Sequence, residues 1–350
     1  MNRFRTYFRS IRWFHIPFGV GIGYLCLQQY GHTRKREQAK LATVPAEQLT
    51  MKEWKVSILR RLPTNLVSRT WGRIQDTRLP RWLRKPLLAS YVHVFGCDLN
   101  DVEERDLRNY ETVNAFFMRK LRAGTRPIDE QSDIVSPCDG TFLHCGVVAK
   151  TGELEQVKGI RYSLSDFLGE DVRERLSDLA PHSSDHELFH CVIYLSPGDY
   201  HHFHAPTELE VTERRHFPGS LISTAPFVVR LIKGLFSFNE RVALLGQWTH
   251  GFFAYTAVGA LNVGSIHLPF DDELKTNAFR RNGNANEKFD RRAYDDEPRV
   301  FCRGDYMGGF AQGSTIVLLF TAPSSFEFVP KPGKHVKVGE SLGRVESKAG

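Results

Sequence analysis

No aspartate or glutamate occurs in the first 36 residues; Glu37 is the first acidic side chain of the 350-residue chain. That absence excludes a charge-balanced leader. Residues 13–33 lack charge of either sign, which excludes an ordinary solvated surface segment. The six cysteines include no Cys-x-x-Cys pair, so the paired-cysteine signatures of zinc and redox sites are missing. In a chain of this length their even number defines no disulfide framework, and they read as mostly free thiols. No internal repeat occurs.

What is present is an uneven charge. Residues 1–40 carry eight Lys and Arg against Glu37 alone, and residues 51–86 carry ten against Glu53 and Asp76. The formal total is +7, so the remainder of the chain is net acidic. A basic N-terminal third suits an anionic membrane surface. Residues 1–12 space arginines among aromatics, like a mitochondrial presequence. As a helix, residues 13–30 would run ~27 Å at 1.5 Å per residue, near the hydrocarbon thickness of a bilayer. Residues 13–32 are thus expected to be a transmembrane anchor, followed by a polar linker at 33–50. Residues 51–126 are expected to be helical, amphipathic and membrane-facing, with Trp54, Trp71 and Trp82 among arginines. Thr112 is an N-cap candidate for a helix through "TVNAFFMRKL".

Beyond Pro127 the texture becomes that of strands. "IVSPCDGTFLHCGVV", "LFHCVIYLSP", "RVALLGQW", "GFFAYTAVGALNVGSIHL" and "STIVLLFTA" are short apolar runs bounded by Pro, Gly and Asp. Helices are expected at "SLSDFLGEDVRERL" and "TAPFVVRLIKGLF". The expectation for 127–350 is an α+β catalytic domain of mainly antiparallel sheet. Residues 271–298 read as a long polar surface loop.

Three segments offer chemistry. "SPGDYHHFHAP" carries His201, His202 and His204, of which the last two share a face in an extended chain. With His182, His186 or His190 they could ligate a metal ion. Alternatively, a histidine near a turn takes a proton from a hydroxyl. Asp139 in "SPCDGT" and Ser314 in "GGFAQGSTIVLLF" complete the residue types of a triad, each on its own segment. The target for Ser314 would be the carbonyl before it. Gly313 has no side chain to shield that carbonyl. Addition of the Ser314 hydroxyl would move the glycyl acyl group from nitrogen to oxygen. Loss of the Ser314 α-proton would then expel the Gly313 carboxylate and leave dehydroalanine at a new N-terminus. Tautomerisation and hydrolysis, with release of ammonia, would leave a pyruvoyl ketone there. Such a ketone can condense with an amine and serve as an electron sink for decarboxylation.

With "TVNAFFMRKLRAGTRPID", "SPCDGT", "LSPGDYHHFHAP", "HFPGSL", "NERV", "VGALNVGSI", Gly-Ser-Thr and "KPGKHVKVGESLG" in this order, the chain resembles the phosphatidylserine decarboxylases of the mitochondrial, bacterial-like type. The resemblance covers most of the chain from about Trp71 to Glu346. It implies a self-made cut between Gly313 and Ser314, giving a large β chain (1–313) and a small α chain (314–350). The covalent pyruvoyl cofactor would come from Ser314, and no metal is implied. Asp139, His204 and Ser314 match the self-processing triad. His201 matches a histidine of the decarboxylation step, protonating the carbanion or holding the substrate carboxylate. The family usually has Leu where this chain has Gln312. The implied substrate is phosphatidylserine in a membrane, and the implied partner of each cut chain is the other, as a heterodimer. A higher homo-oligomer is left open, and nucleic acid is not implied. By the same analogy the protein belongs to the mitochondrial inner membrane, facing the intermembrane space. Two other readings stand beside this one. The first is a metal-dependent hydrolase or oxygenase using the His201/His202/His204 cluster. The second is a membrane-tethered binding module with an uncut chain.

Overall fold

The computed structural model describes residues 50–346 apart from 62, 150–151, 158–159, 173, 175, 177–184, 262–264, 279–288, 295–296 and 312. The chain divides into residues 1–45 and 46–350, and the described residues belong to the second unit. The expected presequence (1–12), anchor (13–32) and nearly all of the linker lie outside the described residues, as do His182 and Gln312.

Prolines divide the basic stretch into three helices: α1 (Glu53–Arg61), α2 (Thr64–Gln75) and α3 (Arg81–Phe95), with Pro63 and Pro80 at the entrances of the last two. Proline fixes φ and has no N–H to leave unpaired at a helix start. Among the described residues no helix is long and apolar enough to cross a membrane. Helix α4 (Val113–Phe117) opens as expected on Thr112, whose hydroxyl accepts the Ala115 N–H at 2.9 Å. It ends after one turn, and Leu121 bridges Val102 instead of continuing it.

The rest is strand with short helices between. In order come β1 (Ile134–Val135), β2 (Gly140–Val147), β3 (Glu153–Val157), β4 (Ile160–Ser163), α5 (Leu164–Leu168), β5 (His186–Leu195), β6 (His202–His204) and β7 (Leu209–Phe217). Then follow α6 (Pro226–Val229), α7 (Leu235–Phe238), β8 (Arg241–Trp248), β9 (Gly251–Gly259), β10 (Ile266–His267), β11 (Asp290–Ala293) and β12 (Arg299–Phe301). The last are β13 (Tyr306–Phe310), β14 (Ser314–Pro323), β15 (Phe326–Phe328), β16 (His335–Val336) and β17 (Ser341–Val345). Every strand pairing is antiparallel. The α+β expectation for the body is met.

Nine strands form one sheet in the order β11-β7-β8-β9-β14-β5-β2-β16, with β12 also on β7. Strand β14 lies at its centre, paired along its whole length with β5 and over seven residues with β9. Alternation sends Ile316, Leu318 and Phe320 to one face and Val317 and Leu319 to the other, and both faces are buried. A strand covered on both sides has no reason to alternate polar with apolar, which is why "IVLLF" is unbroken. On the first face lie Phe203, Ile266 and Phe310 of the sheet β10-β13-β6, and Phe326 and Leu342 of the sheet β1-β17-β15. The second face carries the hairpin β3-β4 and helices α5, α6 and α7.

Three expectations need correction. The helix expected through 163–176 is interrupted: its first piece, α5, ends at Gly169, at φ 110°, and Val172, Glu174 and Leu176 are helical beyond it, while the one through 224–236 is the two pieces α6 and α7. Residues 271–298 are not simply a surface loop: β11 comes from them and pairs with β7. Asp271 is buried, ion-paired to Arg214 at 3.0 Å and to Arg292 at 2.5 Å. These polar residues look solvated in sequence because their counter-charges lie on a different strand.

Candidate active site

Ser314 is the first residue of the central strand, opposite Leu195 on β5 and Gly259 on β9. It is completely buried, and its Oγ makes no hydrogen bond. An orphaned buried hydroxyl costs roughly 1–3 kcal/mol, so its retention at this point calls for a chemical reason. By alternation Ser314 shares the face of Ile316 and Leu318. At Gly313, an added Cβ would meet nothing within 4 Å. The Gly313 carbonyl, the target expected from sequence, is thus not crowded from the Cβ side.

The histidine segment reaches the same region through backbone pairing. Strand β6 pairs with β13, placing His204 opposite Tyr306 and His202 opposite Gly309, and the Phe310 N–H donates to the His201 carbonyl at 3.0 Å. Residues 311–313 then lead from β13 into β14. Phe203 packs toward the large sheet, touching Phe310 and Tyr255. His202 and His204 take the opposite face, where both rings meet Tyr200 and Tyr306.

Each ring is committed to its own carbonyl. The His201 Nδ1–H donates to Asp199 O at 2.9 Å, the His202 Nε2–H to Met118 O at 3.0 Å, and the His204 Nδ1–H to Gly304 O at 2.9 Å. A carbonyl only accepts, so these bonds fix the tautomers and leave Nε2 bare on His201 and His204. Tyr200 donates its hydroxyl to His204 Nε2 at 3.3 Å. Burial pushes the His204 pKa down, against the raising effects of the Gly304 bond and the Asp139 charge. A neutral imidazole with a bare nitrogen is the form a general base needs. His201 is fully buried beside the Phe117 ring at 4.0 Å, and burial drives its pKa down to about 3. Its Nε2 has no hydrogen-bond partner.

Asp139 does not orient His204 by a hydrogen bond; the Gly304 carbonyl does. The Asp139 carboxylate instead accepts from Arg126 Nε at 3.0 Å, Arg126 Nη2 at 2.6 Å and the Val338 N–H at 2.9 Å. It acts on His204 through its charge and through the turn that bears it. Two of the expected triad members are therefore brought together, while Ser314 Oγ is hydrogen-bonded to neither. Arg126, Tyr200 and Gly304 were not singled out from sequence, although Tyr200 lies inside the histidine motif. A backbone carbonyl leaves no residue-type signal at all.

Of the histidines in the alternative metal reading, His186 and His190 lie on β5, apart from the His201–His204 segment in sequence. Among the described residues no group of three or more His, Cys, Asp or Glu is arranged to hold a metal ion. The described cysteines, Cys97, Cys138, Cys145, Cys191 and Cys302, are all free thiols.

The family model for phosphatidylserine decarboxylase matches residues 113–344. The chain belongs to this family. It is 43% identical over 341 residues to the mitochondrial phosphatidylserine decarboxylase proenzyme of Pongo abelii, covering 94% of this chain and 83% of that one. The mitochondrial proenzyme of Caenorhabditis elegans is 40% identical over 292 residues, covering 83% of this chain and 73% of its own. The mitochondrial proenzyme 1 of Saccharomyces cerevisiae is 37% identical over 363 residues, covering 81% and 72%. The matched region spans every residue discussed above from α4 to β17. Membership makes the chain an enzyme of the decarboxylase class, and the relatives' printed names describe proenzymes.

Proposed function

We propose that this chain decarboxylates phosphatidylserine to phosphatidylethanolamine after cutting itself between Gly313 and Ser314. The observation that carries the reading is Ser314: a buried, unpartnered hydroxyl at the head of the central strand, next to an uncrowded glycyl carbonyl. His204, neutral with an unprotonated Nε2 that accepts from the Tyr200 hydroxyl, is the base for the Ser314 proton. Their side chains are not hydrogen-bonded here, so the cut requires residues 311–313 to bring the hydroxyl and the ring together, or a water to relay the proton. The residues present fit a pyruvoyl group at 314, held by the ladders to Leu195 and Gly259 in a site closed to water. When formed, that group supplies the electron sink for loss of CO2. The buried, unpartnered Nε2 of His201 supports a role for this residue in the decarboxylation step, protonating the carbanion or holding the substrate carboxylate.

The membrane part of the proposal rests on the helices. Trp54 is 59% exposed and Trp82 71%, with Ile58, Leu66, Val67, Ile74 and Leu87 also exposed among the basic residues of 51–86. Aromatics and arginines together favour the headgroup layer, and a basic face concentrates an anionic lipid. The mitochondrial assignment extends to the inner membrane with the body in the intermembrane space, and the product is a heterodimer of the two cut chains.

Intact mass spectrometry under denaturing conditions tests the reading. The expected result is a 37-residue fragment, 314–350, lighter than its serine-started sequence requires. Competent material with an uncut 313–314 bond would refute it, and stoichiometric zinc or iron lost in His204→Ala would favour the metal enzyme.

A further inference from the structure

Asp139 has three donors on its carboxylate, and two of them belong to one guanidinium. Arg126 binds both oxygens of Asp139 and, with Nη1, Asp101 Oδ2 at 2.7 Å and the Thr125 carbonyl at 3.0 Å. Its side chain is only 13% exposed, and that of Asp139 only 7%. One planar cation therefore bridges two carboxylates, an arrangement a lysine cannot reproduce. The turn that carries Asp139 also holds the base: the Pro137 carbonyl accepts the backbone N–H of His204 at 2.8 Å. Displacing Asp139 thus shifts the strand on which His204 rides. The third donor, the Val338 N–H, comes from the segment that becomes the small chain.

Charge gives the second line. The Asp139 charge favours the imidazolium formed when the His204 ring takes a proton, while Asp101 offsets the Arg126 cation that holds Asp139. Lys337 Nζ, 3.8 Å from Asp101, is nearly half exposed, where water and salt weaken it. Arg122 also acts on Asp101 through its charge. The other groups facing His204 are Asp305, His202, Tyr200 and Tyr306.

We infer that Arg126, backed by Asp101, is the positioning residue of self-processing: it fixes Asp139, and through the Ser136–Gly140 turn it sets the place and protonation of His204. The inference rests on the self-cleavage reading. Its failure is distinguishable, because an unmodified chain that never cuts would sink the reading, whereas cutting that ignores Arg126 would sink only the inference.

The test follows the cut against pH in the full chain, by denaturing gel, for Arg126→Gln, Arg126→Lys and Asp101→Asn. Arg126→Gln is expected to slow the cut at least tenfold, with Arg126→Lys intermediate because it keeps the charge without the fork. The acid limb of the rate profile carries the decisive sign. Removing the cation leaves Asp139 uncompensated, raises the His204 pKa and moves the limb to higher pH. Asp101→Asn removes an anion, lowers the His204 pKa and moves the limb to lower pH. A merely structural defect would lower the rate without opposite shifts. Parent-like rates, or slowed rates with an unmoved limb, would overturn the inference.

Discussion

The helices at 53–95 and the central sheet depart from ordinary burial in opposite directions. The helices leave large apolar side chains in water, Trp82 at 71% exposure being the extreme. The sheet and the histidine segment packed beside it withdraw polar atoms from water without partners: Ser314 Oγ, Thr315 Oγ1 and His201 Nε2. Each departure is unfavourable in isolation. On the proposed reading they divide the labour, with the surplus apolar surface marking where the molecule meets its lipid and the orphaned polar atoms marking where bonds change.

The largest effect that could break this comparison comes from removing the orphaned hydroxyl. Ser314→Ala is expected to give a chain that stays whole, makes no product and is at least as stable as the parent, because an unsatisfied buried group has gone. A cut Ser314→Ala chain on a denaturing gel would end the assignment. Next, His201→Ala should cut normally yet lose activity by about 10²-fold or more, the usual weight of a positioned acid–base group. Measuring cleavage and CO2 release on one preparation separates the two steps.

How much of this was legible in the sequence follows the same division. Apolar strands with Pro, Gly and Asp at their ends announced β2, β5, β8, β9 and β14. Strand β7 was missed because "TERRHF" reads as a polar turn. There Glu213 and Arg215 are fully buried and paired to each other at 2.6 Å, and Arg214 pairs with Asp271 and Asp290. Charges that neutralise one another across strands look like solvent-facing charges until the strands are laid side by side. The bonding of the expected triad residues was not legible. Arg126 on Asp139 and the Gly304 carbonyl on His204 are tertiary facts.

Smaller effects sharpen the comparison. Gly308→Ala would place its Cβ 2.6 Å from the Phe203 ring and 2.4 Å from the His267 carbonyl. Overpacking of that kind costs about 1–3 kcal/mol, so thermal unfolding should move down and the cut should slow with it. Trp54→Ser with Trp82→Ser should leave the melting temperature unchanged and the cut intact. Binding to phosphatidylserine vesicles in a flotation assay should fall severalfold. The smallest effect is in pH. His190 and His201 have pKa values lowered by burial to about 4 and about 3, against an ordinary 6.5. The unfolded chain takes up those protons first, so stability should be fully present above about pH 6.5 and fall as pH drops toward 4 and then 3. His201→Leu should flatten part of that fall in acid-denaturation curves.

If the proposed cut takes place, the position of β14 between β9 and β5 has a consequence for the finished enzyme. A nick just ahead of its first residue leaves the ladders of that strand beyond Ser314 in place. The 37-residue piece is then clasped on both edges and stays put with no covalent tie. Melting, however, sets it free. The precursor can refold as one molecule, but the mature protein must recapture its own middle strand from solution, at a rate that falls with dilution. Maturation is therefore a one-way door for folding as well as for chemistry.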